Sequence, residues 1–183
     1  MTTLGVIADT HVPDRRPDLD PQILPIFLQA KVQTILHAGD VSSQKVLDQL
    51  SQIAPVLAVR GNRDWFQLRS LPDTRFLNYD NIPVVLTHGH GGWAKYIREK
   101  FEFTFRGYDK ERYKNKLLAE FPQAKVIIFG HTHYALNVWV GETLIFNPGS
   151  PHFPGSRNET PSLGLLHIEA GGKVTGEIIN LRN

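Results

Sequence analysis

The sequence predicts an α/β fold in which two mixed β-sheets face each other and helices cover their outer faces, giving a four-layer sandwich. In the first third of the chain, short runs of Val, Ile and Leu alternate with amphipathic stretches, as in parallel βαβ units. In the last third, short apolar runs are separated by Gly-containing turns, as in antiparallel hairpins. Parallel and antiparallel pairing within one chain therefore predicts mixed sheets.

The amino-terminal third begins with Leu4–Ala8, an apolar run typical of a buried strand. Asp20 followed by Pro21 is a capping residue before a proline at the first helical position, which predicts a helix to about Ala30. The residues expected on its buried side are Ile23, Leu24, Phe27 and Leu28. This pattern predicts the first strand and helix of a βα unit.

A second unit follows, with a strand at Val32–Leu36 and a helix capped by Ser42 or Ser43. Its apolar residues at helical spacing are Val46, Leu47, Leu50 and Ile53. A third strand is expected at Pro55–Val59 and a further buried one at Lys125–Phe129. The predicted hairpins pair Arg75–Asn78 with Ile82–Leu86, Asn137–Val140 with Leu144–Phe146, and Leu163–Ile168 with Val174–Ile179.

Length and composition predict one soluble domain over residues 1–183. No apolar run approaches the roughly 18 residues that a membrane span needs, and the amino terminus lacks the pattern of a signal peptide, so we expect a cytoplasmic protein. A net charge of +2 is no strong signal for nucleic-acid binding. Because the chain has no cysteine, nitrogen and oxygen atoms must hold any metal.

Polar side chains capable of binding metal follow each of five predicted strands. They are Asp9, His11, Asp40, Asn62, His88, His131 and His133. Seven such groups are too many for one tetrahedral ion, but they suit two divalent ions that share a bridging carboxylate. Two metals about 3.5–4 Å apart can clamp the attacking and leaving oxygens of a phosphoryl displacement.

These loops resemble the motif series of the calcineurin-like metallophosphoesterase superfamily. The series is Asp9-x-His11, Gly39-Asp40, Gly61-Asn62-x-Asp64, His88-Gly89-His90 and Gly130-His131-x-His133, followed by Asn147-Pro148-Gly149-Ser150. The short chain resembles the small YfcE-type phosphodiesterase branch in particular. The resemblance covers almost the whole chain and implies the metallo-dependent phosphatase fold, a two-sheet sandwich with outer helices.

The resemblance also implies roles for the metal ligands. Asp9, His11 and His133 would hold the first ion, Asn62, His88 and His131 the second, and Asp40 would bridge them. The two divalent ions are expected to be Mn, with Ni, Zn, Fe or Mg as alternatives. The implied activity is phosphodiester hydrolysis, by attack of a metal-bridging hydroxide on a small phosphate ester. Phosphomonoesterase or nucleotide phosphatase activity and, in another class, a non-catalytic scaffold like the family's retromer-complex member are the alternatives.

Two further residues are candidates for catalysis. Arg63 stands where many relatives have histidine, a possible proton donor; arginine, with a pKa above about 12, can instead bind a phosphate oxygen. The alternative is that it faces solvent or pairs with Asp64. His90 is expected either to contact substrate or to orient a metal ligand, against a structural role.

An aromatic and basic segment at about 92–121 is expected to be helical. Its basic side chains could line a substrate groove, and its aromatic rings could stack on a nucleobase. The alternative is that it packs on the sandwich or forms a contact in a homo-oligomer. Substrate specificity is expected to depend on this segment and on the loop His152–Pro161.

Overall fold

The computed structural model describes residues 1–90, 109–156 and 158–182. The strands are β1 (Thr2–Ile7), β2 (Thr34–His37), β3 (Val56–Ala58), β4 (Thr74–Tyr79), β5 (Ile82–Thr87), β6 (Val126–Ile128), β7 (Leu136–Val140), β8 (Thr143–Asn147), β9 (Ser162–Ile168) and β10 (Val174–Asn180). The helices in the described residues are α1 (Ile23–Gln29), α2 (Gln44–Ser51) and α3 (Lys110–Glu120).

The strands form two five-stranded sheets, with orders β10-β9-β1-β2-β3 and β4-β5-β6-β8-β7. In the first sheet β1, β2 and β3 are parallel, whereas β9 and β10 pair antiparallel. In the second sheet β5, β6 and β8 are parallel, and β4 and β7 are antiparallel edge strands. Both sheets are therefore mixed, which confirms the predicted fold class.

The core is arranged in three buried clusters that follow the alternation of side chains along each strand. Between the sheets lie Leu4 and Leu36 of the first sheet and Leu86, Ile128 and Phe146 of the second. On the outer face of the first sheet, Phe27 of α1 and Val46 and Leu50 of α2 pack in one cluster with Ile7 and Ile35 of the strands. On the outer face of the second sheet, Leu117 of α3 packs with Ile127 and Ile145. The order of layers is therefore helices, first sheet, second sheet and helix, as predicted.

Helix α1 is shorter than predicted. The Asp20 carboxylate accepts a hydrogen bond from the Gln22 amide at 2.9 Å, so Asp20 caps a turn and the helix begins only at Ile23. In so short a helix Ile23 and Phe27, four residues apart, form the buried face. Leu28 is 64% exposed, so its predicted burial is wrong.

Helix α2 begins directly after Ser43, as expected, but the Ser43 hydroxyl makes no capping hydrogen bond. The Ser42 hydroxyl instead donates to the Asp14 carboxylate at 2.8 Å. The aromatic and basic segment is described only from residue 109, where α3 is helical as predicted; residues 91–108 lie outside the described part. Each helix in the described part is too short or too polar to span a bilayer.

Substitution of Phe146 tests the packing between the two sheets. Its fully buried ring lies against Gly164 and Gly176, where an added Cβ would approach within 2.5 and 2.8 Å of the ring. We expect Phe146→Ala to lower the free energy of unfolding by about 3–5 kcal/mol, because it leaves a cavity between the sheets. Urea denaturation measures this, with Phe66→Ala, at a ring that is 94% exposed, as the matched control. Equal effects of the two substitutions would contradict the packing described.

Candidate metal centre

The candidate metal centre lies at the edge where parallel strands from both sheets end. Asp9 and His11 follow β1, Asp40 follows β2, and Asn62 follows β3. From the second sheet, His88 follows β5, and His131 and His133 follow β6. Because the carboxyl ends of these strands meet, the structure brings all seven predicted side chains together.

One group of donors surrounds His133. Its Nε2 atom lies 3.5 Å from Asp9 Oδ1 and 3.2 Å from His11 Nε2. Ligand atoms of Asp9, His11 and His133 all lie within 4.8 Å of one another, close enough for a single ion. This is the set that the resemblance assigns to the first metal.

A second group surrounds the amide of Asn62. Its Oδ1 atom lies 3.1 Å from His88 Nε2 and 3.0 Å from His131 Nδ1. Asp40 lies between the two groups, with Oδ1 3.5 Å from His88 Nε2 and Oδ2 3.8 Å from His11 Nε2. The two oxygens of one carboxylate therefore face different donor groups.

Hydrogen bonds set which ring nitrogens can bind metal. His88 Nδ1 donates to the Ala38 carbonyl at 2.8 Å, and His133 Nδ1 donates to the Phe153 carbonyl at 2.5 Å. A carbonyl can only accept, so Nδ1 carries the proton and the Nε2 lone pair faces the centre. Such a partner behind a histidine is usual at metal sites.

Burial keeps these imidazoles neutral. It lowers the pKa of His11 to about 2 and the pKa values of His88 and His133 to about 4. Neighbouring positive charges add to this effect at His11 and His133, whereas at His88 the hydrogen bond to Ala38 and the charge of Asp64 oppose it. Burial also raises the pKa of Asp40 to about 6 and, together with the Asp40 charge, raises the pKa of Asp9 well above its usual value. A divalent cation would offset both effects, because it binds neutral imidazoles and favours ionised carboxylates. The donor set fits such an ion.

Five of these residues have left-handed backbone conformations. Their φ angles are 53° at Asp9, 51° at His11, 53° at Asp40, 69° at His131 and 61° at His133. Asp and His tolerate this region better than most residues, yet it costs about 1–3 kcal/mol at each position. Strain of this kind concentrates at functional sites.

Two motif glycines make room for the carboxylates. A Cβ on Gly61 would lie 2.2 Å from both the backbone nitrogen and Oδ1 of Asp40. A Cβ on Gly130 would lie 2.7 Å from the Ala38 carbonyl and 2.9 Å from Asp9 Oδ2. Any larger residue would therefore displace a candidate ligand.

Asp64 ties two of the ligand loops together. Its Oδ1 accepts from the Ser42 amide at 2.8 Å, and its Oδ2 accepts from Gly61 at 2.8 Å and Val41 at 3.3 Å. The carboxylate thus connects the loop that carries Asp40 with the loop that carries Asn62. It lies behind the ligands and not among them.

The two predicted catalytic residues have different positions. His90 is 2% exposed, and its ring centroid lies 5.2 Å from that of His88 and 6.4 Å from that of His131. The Arg63 side chain is exposed, while its backbone amide donates to Asp40 Oδ1 at 2.8 Å. Its guanidinium favours the ionised form of Asp40, against the burial that raises the pKa of that carboxyl to about 6.

Sequence reasoning gave no role to several residues that hold the ligand loops. The Ser150 hydroxyl donates to the Asp9 carbonyl at 2.8 Å, and the Asn147 amide donates to the Gly130 carbonyl at 3.0 Å. From α3, Tyr113 Oη and Lys116 Nζ donate to the Gly89 carbonyl at 2.8 and 2.9 Å. The Asn147–Ser150 motif was visible after a strand, but the helix residues carry no local signal of this contact.

Comparison with sequence models of protein families identifies the family of this chain. The sequence model of the calcineurin-like phosphoesterase superfamily domain matches residues 2–171. The chain belongs to this superfamily. The predicted resemblance is thereby confirmed.

Individual relatives agree with this assignment. A protein named probable metallophosphoesterase from Methanothermobacter thermautotrophicus is 35% identical, over 96% of this chain and 91% of its own. Phosphodiesterase YfcE of Escherichia coli is 29% identical, over 79% of this chain and 78% of its own. The structure of wild-type Vps29 complexed with Zn²⁺ from Entamoeba histolytica has a TM-score of 0.73 and 25% identity, covering 98% of this chain and 99% of that one. Phosphoesterases and Vps29 thus share this domain architecture.

The Asp64 contacts predict a loss of stability in Asp64→Asn. The amide nitrogen of asparagine cannot accept a hydrogen bond, so at least one buried backbone N–H loses its partner at a cost of about 1–3 kcal/mol. Urea denaturation measures the change. Asp48→Asn, at an exposed position on α2, is the matched control and should leave the midpoint almost unchanged. A stable Asp64→Asn protein would show that the carboxylate does not hold the loops.

Proposed function

We propose that this metallophosphoesterase domain is a two-metal phosphodiesterase that hydrolyses a P–O bond of a small phosphate ester. The observation that carries the proposal is the position of Asp40, whose two carboxylate oxygens face two separate groups of nitrogen and oxygen donors. The phosphodiesterase named among its relatives supports the choice of reaction. Mn is the metal that we expect to serve best.

The chain contributes position and charge to this reaction. Bound divalent ions would supply the Lewis acid that polarises the phosphoryl group and lowers the pKa of a coordinated water. Asp9, His11 and His133 would hold one ion, Asn62, His88 and His131 the other, with Asp40 between them. Seven donors on strand ends provide rigid placement, which a displacement reaction requires.

Arg63 and His90 would act around the phosphate. Arg63 lies at the exposed rim, next to the Asp40 loop, where its guanidinium can bind a non-bridging oxygen and stabilise developing charge. His90 packs beside His88 and His131, where it would orient these ligands or contact the substrate. The site has the same groups for a monoester, so phosphomonoesterase activity is the alternative within enzymes.

A protein-interaction scaffold is the alternative from another class, because the Vps29 structure shares the fold. The phosphodiesterase named among the relatives favours the enzyme, whereas the donor set alone does not separate the two classes, because the Vps29 structure is also a complex with Zn²⁺. Protein that binds metal but hydrolyses no phosphate ester would favour the scaffold.

The metal requirement is tested with chelated protein. We expect chelation to abolish hydrolysis of bis(p-nitrophenyl) phosphate and added Mn to restore it, with the diester cleaved faster than p-nitrophenyl phosphate. Asp40→Asn and His131→Ala should both lose at least about a thousandfold in kcat/KM, as expected when an interaction worth more than about 4 kcal/mol in the transition state is removed. Ni, Zn, Fe and Mg tested in parallel identify the preferred ion.

The same variants separate function from folding. Without a cation, the buried Asp40 carboxylate lies near that of Asp9, so Asp40→Asn should raise the melting temperature of the metal-free protein while removing the further rise caused by Mn. Asp48→Asn should behave as wild type in both assays. Full activity in Asp40→Asn would exclude the two-metal mechanism.

Arg63→Ala tests the phosphate contact. A hydrogen bond to a charged group contributes about 1.5–3 kcal/mol, so we expect kcat/KM to fall about 10- to 100-fold with unchanged metal content. The backbone bond from residue 63 to Asp40 remains in this variant. Arg69→Ala removes an exposed arginine from the same loop and should have no effect. Wild-type kinetics in Arg63→Ala would place its side chain in solvent.

A further inference from the structure

A cleft of about 370 Å³ opens beside the candidate metal centre. Its lining residues are Arg15, Thr132, His133, His152, Phe153, Pro154, Gly155 and Ser156. His133 belongs to both the cleft and the first donor group, so a phosphate held at the metals would have the cleft as its neighbour. The volume falls within the roughly 300–1,000 Å³ of small-molecule sites.

One wall of the cleft is held rigidly to the metal loops. The Phe153 carbonyl accepts from His133 Nδ1, and the Gly155 amide donates to the His133 carbonyl at 3.0 Å. The Phe153 amide donates to Ser150 Oγ at 3.0 Å, and that hydroxyl donates to the Asp9 carbonyl. The Phe153 ring meets the edge of His11, with centroids 6.3 Å apart at 75°. The ring therefore has a defined position relative to both candidate ligands.

Arg15 forms the cationic side of the cleft. Its guanidinium carbon lies 5.0 Å from the Phe153 ring centroid, in a cation–π contact. Within residues 1–90, 109–156 and 158–182, Arg15 forms no ion pair, and the neighbouring Asp14 carboxylate accepts from Ser42. Burial has the largest effect on the pKa values of the three nearby ligands: it raises that of Asp9 and lowers those of His11 and His133. The positive charge of Arg15 lowers all three pKa values by a smaller amount. The guanidinium is thus available to a ligand.

The chemistry of the lining selects an anionic ester with a flat ring. Among the described residues, none that lines the cleft has an acidic side chain, which favours an anion there. Arginine planes and aromatic rings bind flat unsaturated groups, whereas inorganic phosphate or a methyl ester would leave the cleft filled with water.

We propose that this cleft is a subsite for the ring-bearing group of an aryl or nucleotide-like phosphate ester, and that Arg15 and Phe153 determine this specificity. The proposal rests on the phosphoesterase function proposed above. It assigns a role to Arg15, which the motif series does not include, and it places ring recognition on residues 152–156.

The test compares two phosphonates that the enzyme cannot hydrolyse and that differ in the ring. Titration calorimetry of Mn-loaded protein should show phenylphosphonate binding about 3- to 10-fold more tightly than methylphosphonate, as expected for one aromatic contact. Arg15→Gln and Phe153→Leu should each bring this ratio close to one. The ratio isolates the ring, because both ligands carry the same phosphonate group.

Arg69→Gln is the matched control. Arg69 is an exposed arginine outside the lining of the cleft, so its loss should leave the ratio unchanged. A wild-type ratio of one, an unchanged ratio in both Arg15→Gln and Phe153→Leu, or an equal fall in Arg69→Gln would overturn the subsite. Continued metal-dependent hydrolysis of bis(p-nitrophenyl) phosphate would then leave the phosphoesterase proposal standing. Absence of both hydrolysis and phosphonate binding would overturn the two proposals together.

Discussion

Two buried carboxylates, Asp9 and Asp40, set the electrostatic constraint around which the site is organised. They are 0% and 3% exposed, and burial raises the pKa of each. Backbone amides of His131 and Arg63 donate to them, which stabilises the ionised forms only in part. The surrounding imidazoles are kept neutral by burial, so they add lone pairs and not positive charge. Such an arrangement is favourable when a divalent cation completes it.

The two-sheet architecture makes this arrangement possible. Parallel strands in each sheet end at the same edge, and the packed interior between the sheets keeps those ends in register. Strained φ angles at Asp9, His11, Asp40, His131 and His133 therefore persist, because the strands on which these loops are mounted cannot relax. Contacts behind the ligands, from Asp64, Ser150 and Asn147, restrict the loops further. The rigidity of the metal-binding loops therefore depends on the stable packing of the two sheets.

Side chains around the donor groups form the rim of the candidate metal centre. In this chain the rim carries Arg63 on one loop, next to Asp40, and Arg15 on another, next to Phe153. Both arginines are exposed. Helix α3 contacts the same edge through Tyr113 and Lys116, which hold the Gly89 carbonyl. The metals would define the reaction, and these surrounding groups would define the ester.

The sequence by itself determined the family, the mixed sheets and the order of the donor residues. Asp9, His11, Asp40, Asn62, His88, His131 and His133 were recognisable because residue type and position after an apolar run are local properties. The late start of helix α1 and the exposure of Leu28 escaped that reasoning, because capping geometry and helix length decide them. Only the tertiary structure decided which Asp40 oxygen faces which histidine, that Asp64 joins two loops, and that Arg15 meets Phe153. Those contacts join residues far apart in the chain. Strand pairing within the first sheet and packing of the two sheets bring them together, and local periodicity encodes neither.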